Sequence, residues 1–283
     1  MNQEFYIQGQ VALITGGNVG IGRVTAIELA KKGFKVVIAG RSLERTQPVL
    51  DHIKSLNVDE EAIFLPLDLA SFASIRECAQ LFLQLNLPLH LLVNNAGVAG
   101  LRGLTKDGFE MTFGINHLGH FLLTQLLLEK MQSSGLSRIV TVSSRAHKRT
   151  AGIDWDELCQ PTRSLTGIHE YAVSKLANLL FSAELAKRLN GTSISTYSLH
   201  PGVVDTEIWR ALPKWARPLL RLRGFLTPEE GARTTLHCAM HAPKHESGLY
   251  YADSKPIQPA ALGRNSELAA ELWRRSEVWV NQK

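Results

Sequence analysis

Short, unbroken apolar runs alternate with helix-forming stretches along almost the whole chain, and this restricts the fold more than any other feature. Val11–Thr15 is the first run, followed at once by glycines and then by the helix-like Arg23 to Lys32. Gly33 is placed to end that helix, and Lys35 to Ala39 is a second, β-branched run. Strands are predicted over 62–67, 89–93, 138–142 and 193–199, and helices over 43–55, 72–86, 108–133, 170–190 and 228–241. A strand that is apolar at successive positions is buried on both faces, and parallel strands need crossover helices to join them. The expectation is an α/β fold, a single doubly wound parallel sheet with helices on both faces. No internal repeat and no Pro/Gly/Ser-rich linker divides the 283 residues, so 1–283 is read as one domain.

With 45% hydrophobic residues the chain can bury a large core, and 20% charged residues without a low-complexity tract argue against disorder. The net charge of +5 comes from widely scattered basic residues. That pattern argues against a dedicated nucleic-acid binder and suits an anionic, phosphate-bearing ligand. Cys78, Cys159 and Cys238 have no metal-ligand spacing and leave one thiol over in any disulfide scheme, as expected of a reduced chain. His117, His120, His147 and His200 show no metal-ligand spacing either, and His147 and His200 are read as hydrogen-bonding or packing residues. The first strand begins by about Gln10, which leaves no room for a signal peptide, and no apolar run approaches the ~20 residues of a membrane span. A cytoplasmic location is expected.

Between the first strand and first helix lies Thr15-Gly16-Gly17-Asn18-Val19-Gly20-Ile21-Gly22. Glycines there let the backbone turn tightly and approach a pyrophosphate, which a helix N-terminus attracts. The spacing G-x-x-x-G-x-G departs from the commoner G-x-G-x-x-G, but the strand–turn–helix context is that of a Rossmann-type dinucleotide site. The second strand runs out into Gly40-Arg41-Ser42. An acid there would bind a ribose 2′-hydroxyl, whereas an arginine accommodates a 2′-phosphate. Arg41 therefore favours NADP(H) over NAD(H).

Tyr171 and Lys175 stand one helical turn apart, on the same helix face. A lysine so placed stabilises a phenolate. Bringing a phenol from ~10 to ~7 needs about 4 kcal/mol, at ~1.36 per unit. A proton donor tuned in this way suits carbonyl/alcohol interconversion. Two serines, Ser143 and Ser144, follow the fifth strand, and because neighbouring strand residues point to opposite faces only one should face a site.

Together these residues resemble the short-chain dehydrogenase/reductase family over about residues 8–255. The shared motifs are the glycine turn at 15–22, Asp68-Leu69, Asn94-Asn95-Ala96-Gly97, Asn116, the serine pair, Tyr171-x-x-x-Lys175 and Pro201-Gly202-Val203-Val204-Asp205-Thr206. The resemblance implies that Gly16, Asn18, Gly20, Ile21, Gly22, Arg41, Asp68, Leu69, Asn95, Ala96, Gly97, Pro201, Gly202, Val204 and Thr206 bind the cofactor. Asp68 would take the adenine, and Val204 and Thr206 the nicotinamide carboxamide. Tyr171 would be the general acid/base, with Lys175 lowering its pKa and holding the nicotinamide ribose. Asn116 would support a water-based proton relay. No metal is implied.

The serines precede Tyr171 by 27 or 28 residues, more than is common in the family. Within that extra length, Asp154 to Leu158 is read as a short helix by the substrate. Val142-Ser143-Ser144-x-Ala146-His147 resembles the retinol-dehydrogenase-like branch, in which the second serine is catalytic, and so selects Ser144. Tyr171 to Asn178, Leu199 to Val204 and Ser247 to Tyr251 resemble the same branch. A lipophilic carbonyl or alcohol substrate is thereby implied: a retinoid, a steroid-like compound or a long-chain aldehyde or ketone.

Segments of about 145–170 and 206–226 are expected to cover that substrate. In the second, Ile208, Leu212, Trp215, Leu219 and Leu222 form a helical stripe opposite Arg210, Lys214, Arg217 and Arg221, and Pro213 and Pro218 interrupt it. Such a face could touch anionic lipid, a peripheral membrane contact. The stretch Glu267 to Val280 is read as an amphipathic helix that closes over the core or makes a subunit contact. By analogy with relatives, the helices bearing Asn116 and Tyr171 would pair in a homodimer.

Overall fold

The computed structural model describes residues 8–56, 58, 60–203 and 226–282. Its frame is β1 (Val11–Thr15), α1 (Gly20–Lys31), β2 (Lys35–Gly40), α2 (Leu43–Ser55), β3 (Ile63–Pro66), α3 (Phe72–Gln84) and β4 (Leu91–Asn94). A helical run follows in three pieces: α4 (Met111–Phe113), a π-turn over Gly114–Leu118, and α5 (Gly119–Ser133). Next come β5 (Ser137–Val142), α6 (Ile168–Arg188), β6 (Ile194–His200), α7 (Pro228–Met240), β7 (Tyr250–Ala252), β8 (Lys255–Ile257) and α8 (Ser266–Asn281).

The strands make one sheet in the order β3-β2-β1-β4-β5-β6-β7-β8, parallel throughout except for the last pair. Every residue of β1, β4 and β6 is buried, as the unbroken apolar runs require. Two hydrophobic cores result, one on each sheet face. One is built on α3, α5, α6 and α8, the other on α1, α2 and α7. From β1 the chain winds out to β3 and then returns to place β4 on the other side of β1. That reversal opens a crevice beyond the carboxyl ends of the strands, where ligands of such sheets bind.

The β7–β8 hairpin was not anticipated. Its strands are three residues long, and its turn residues Asp253 and Ser254 both adopt positive φ, 50° and 60°. The primed turns of tight hairpins need such angles, but the sequence lacks the usual Asn-Gly signature. The single helix expected over 108–133 is interrupted by the π-turn. A Cβ at Gly114 would lie 2.4 Å from Thr105 Cγ2, so glycine is needed for the chain to pack there.

The C-terminal helix packs on the core, the first of its two expected readings. Trp273 of α8 meets Phe121 of α5 at 5.0 Å and stacks on Phe181 of α6 at 5.9 Å, while the Arg188 guanidinium lies 4.4 Å from its ring centroid. His117 Nε2 pairs with Ser276 Oγ at 3.0 Å. One face of α5 and α6 is thus covered by the chain's own C-terminal helix. The stretch Asp154–Leu158 also lies elsewhere than expected. Leu158 is in the core, and Trp155 packs between Arg275 at 4.8 Å and Trp279 at 6.4 Å, away from the crevice. Its apolar residues find more burial under α8 than an exposed crevice rim would offer.

Candidate active site

The crevice is a cleft of about 1260 Å³. Its floor is the glycine turn, and the turn's shape follows from contacts that only small residues permit. Gly16 has φ +65°, and a Cβ at Gly22 would come within 2.3 Å of Gly16 O and 2.4 Å of Asn95 Nδ2. Asn95 Nδ2 donates to Thr15 O at 2.8 Å, tying the turn after β1 to the end of β4. Thr15 Oγ1 accepts the backbone N–H groups of Asn95 and Ala96, both at 3.0 Å.

Behind the turn, His120 braces Thr15. Its Nδ1 faces Asn116 O at 2.9 Å, which makes Nδ1 the protonated nitrogen, so Nε2 accepts from Thr15 Oγ1 at 2.9 Å. Burial holds His120 down at about 4 and His117 at about 3, so both stay neutral. His120 is a support to which sequence reasoning gave no role. No spacing signal marks it, because its partners lie 105 residues away and one turn away.

Of the expected cofactor residues, Gly16, Asn18, Gly20, Ile21, Gly22, Arg41, Asp68, Leu69, Asn95, Ala96, Gly97, Tyr171, Lys175, Pro201 and Gly202 all line this one cleft. Val204 and Thr206 lie outside the described residues, as does the basic–apolar stripe from Ile208 to Leu222. Asp68 holds the backbone N–H of Ala70 at 3.1 Å and an ion pair with Lys106 at 3.4 Å. The residues fit a dinucleotide. Helix α1 starts at Val19 without a side-chain cap and carries no acid in its first turn, so its leading N–H groups face the cleft without side-chain partners. Such an end accepts a pyrophosphate. Arg41 and Arg45 line the cleft where β2 ends.

The reacting end is built by β5 and α6. Ser143 and Ser144 both line the cleft; the Ser143 hydroxyl is taken up in a bond to Lys175 O at 2.6 Å, while the Ser144 hydroxyl accepts Ala146 N at 3.2 Å and acts to lower the Tyr171 pKa. His147 Nδ1–H donates to Ser144 O at 2.7 Å, and its Nε2 accepts from Ala260 N at 3.3 Å, which anchors the turn carrying Ser144.

Asn116, in the π-turn, is fully buried. Its Oδ1 accepts Val98 N at 2.8 Å, and its Nδ2 donates to Val98 O and Ser174 Oγ, both at 2.9 Å. Its side chain is thus occupied in positioning the cleft wall and α6.

Lys175 Nζ donates to Val142 O at 3.0 Å and lies 5.6 Å from the Tyr171 ring centroid. Burial pushes the phenol up to about 12, with Ser144 acting the other way, and the same burial pulls the Lys175 ammonium down to about 7. In the cofactor-free chain burial acts first on both groups and favours the neutral form of each. A stability effect follows. The folded value of Lys175, about 7, lies below the ~10.4 of an unfolded lysine. Between these the unfolded chain holds more protons, so cofactor-free stability rises with pH over that window. Urea unfolding at two pH values within it should show this rise in the native chain and a flatter dependence in Lys175→Met.

Among the described residues no helix is long and apolar enough to cross a membrane, and no cluster of His, Cys, Asp or Glu could hold a metal ion.

Known proteins agree with this geometry. The sequence model for short chain dehydrogenase matches residues 10–154. The chain is 42% identical over 272 residues to retinol dehydrogenase 11 of Homo sapiens, covering 94% of this chain and 84% of that protein. It is 43% identical over 277 residues to polyprenol dehydrogenase of Mus musculus, covering 94% and 82%. Among solved structures, an uncharacterised protein of Mycobacterium paratuberculosis superposes with a TM-score of 0.77 at 30% identity, covering 99% of this chain and 96% of that one. A short-chain type dehydrogenase/reductase of Mycobacterium marinum gives 0.69 at 26% identity, covering 87% and 94%. The chain is an enzyme of the short-chain dehydrogenase/reductase family, in its retinol-dehydrogenase-like branch, and its oxidoreductase chemistry draws on a nicotinamide cofactor.

Proposed function

We propose that this enzyme interconverts a carbonyl and an alcohol on a lipophilic substrate with NADP(H), using Tyr171 as general acid/base. The observation that carries the reading is the convergence of Tyr171, Ser144 and Lys175 on the cleft that the glycine turn opens. The cofactor supplies hydride. Ser144 hydrogen-bonds the carbonyl oxygen, and the Tyr171 hydroxyl gives its proton to the alkoxide as charge develops there. Lys175 holds the nicotinamide ribose and, once charged, favours the phenolate left behind. Asn116 keeps α6 in register and supports the water-based relay that returns the proton.

A lipophilic substrate is supported by two relatives named for retinol and polyprenol. Leu101 and Ile168, both exposed, add an apolar rim to the cleft. Arg41 and Arg45, with no acid where β2 ends, support NADP(H). Arg41→Asp should lower the NADPH-to-NADH ratio of kcat/KM by about 10–100-fold, the value of a charge-assisted contact. An unchanged ratio would remove the assignment. The reading as a whole is tested by absorbance at 340 nm over a panel of retinoid, steroid-like and long-chain aldehydes and ketones, with NADPH and NADH in parallel. NADPH consumption with none of them, at a protein concentration where NADPH binds, would overturn it.

A further inference from the structure

The wall of the cleft next to Ser144 is strongly basic. The 3-10 turn Arg145–Arg149 follows Ser144 directly, and Arg145, Lys148 and Arg149 all line the cleft while remaining exposed to solvent. None of the three forms an ion pair with a described residue. Among the described lining residues the only acid is Asp68, which stands at the β3 end and is paired with Lys106.

His200 lines the same wall. It is nine-tenths buried, and its Nδ1 has no hydrogen-bond partner among the described residues. The field on this wall is net positive. Arg145 and Lys148 both act to keep His200 neutral, and Arg145 outweighs the opposing Asp253.

An apolar rim at Leu101 and Ile168 thus faces a cationic wall. For a purely hydrocarbon substrate that wall has no use. Three desolvatable cations beside the reacting carbonyl favour a substrate that brings an anion with it. At ~2 Å rise per residue the turn carries its last cation roughly 10 Å beyond Ser144, so the anion belongs within about that reach of the carbonyl.

Resting on the proposed carbonyl chemistry, we propose that the enzyme selects amphiphilic substrates that carry an anionic group, a carboxylate or phosphate, about a nanometre from the reacting carbonyl, read by Arg145, Lys148 and Arg149. A lipid headgroup and a substrate's own acid group share this chemistry. The position of the three cations inside the cleft favours the substrate's own.

The probes are octanal and 8-oxooctanoate, compared as kcat/KM with NADPH in vesicle-free buffer. The native enzyme should prefer the anion by about tenfold or more, the attraction of two or three partly exposed charges. That ratio should shrink as salt is raised from roughly 0.02 to 0.5 M, which shortens the screening length. In the triple variant R145Q/K148Q/R149Q the ratio should fall close to one, mainly through KM. A ratio near one in the native enzyme, or a preference unmoved by the triple substitution, would overturn the proposal. So would a preference that appears only when anionic phosphatidylserine vesicles are added, since the cations would then read a surface.

A binding arm separates this failure from failure of the chemistry. Octanoate and octanol are titrated into the NADPH-mixed protein and followed by tryptophan fluorescence. Tighter octanoate binding that the triple variant loses supports the inference even if neither aldehyde turns over. Equal binding of the two sinks it even if both aldehydes are reduced.

Discussion

Tyr171→Phe is expected to lower turnover by about 10²–10⁴-fold, the usual contribution of a positioned general acid, while leaving the affinity for NADPH within a few-fold of the native value. The split follows from where the hydroxyl stands. The ring of Tyr171 is 9% exposed and fills the wall between α6 and the cleft, and phenylalanine keeps that filling. What is lost is the one phenol that lines the cleft beside Ser144. Burial holds the native phenol protonated far past neutrality, so the acid form is fully available for reduction at neutral pH. Steady-state kinetics at saturating NADPH, beside a fluorescence titration of NADPH, measures both quantities. Equal turnover in the variant would move the proton donor elsewhere. Lost cofactor affinity would show that the hydroxyl serves binding instead.

Trp273→Ala should be the most damaging single change away from the cleft. The indole is 4% exposed and sits between Phe121, Phe181 and Arg188, so it joins α8 to both helices that carry the site. Truncating a buried tryptophan costs about 3–5 kcal/mol through lost transfer energy and the cavity left behind. For a domain of this size that lowers Tm by roughly 6–20 °C. Trp273→Phe, which keeps a ring in contact with Phe121, should recover much of it. Thermal unfolding followed by circular dichroism tests the pair, and a Tm unchanged in the alanine variant would mean that α8 does not hold α5 and α6.

The contrast between these residues shows what the sequence could and could not carry. The strands, the glycine turn and the Tyr171–Lys175 face were legible because each depends on residues within a turn or two. Unbroken apolar runs dictate burial on both faces, and i to i+4 spacing dictates a shared helix face.

Other features depend on partners far along the chain. The π-turn that seats Asn116 comes from Gly114 packing on Thr105, and nothing in the helical pattern of 108–133 marks it. His120 supports the phosphate turn through Thr15, across 105 residues. Trp155 looked like a substrate residue because it lies in the extra segment before Tyr171. Its actual neighbours, Arg275 and Trp279, belong to a helix more than a hundred residues later. The Lys175–Tyr171 coupling is legible only in part, for a different reason. Spacing gives proximity, but the balance between desolvation and charge depends on burial, which spacing does not reveal.

The most direct measurement follows isotope rather than rate. NADPH deuterated at one or the other face of C4 is supplied with an aldehyde in ordinary water, and the product is analysed by NMR and mass spectrometry. The expected result is deuterium on the carbinol carbon from one C4 face only, with the hydroxyl proton drawn from solvent, and loss of this product in Tyr171→Phe. Deuterium on a former C=C carbon, deuterium delivered from both faces, or no transfer from bound NADPH would contradict the assignment of Tyr171 and Ser144 to a carbonyl oxygen.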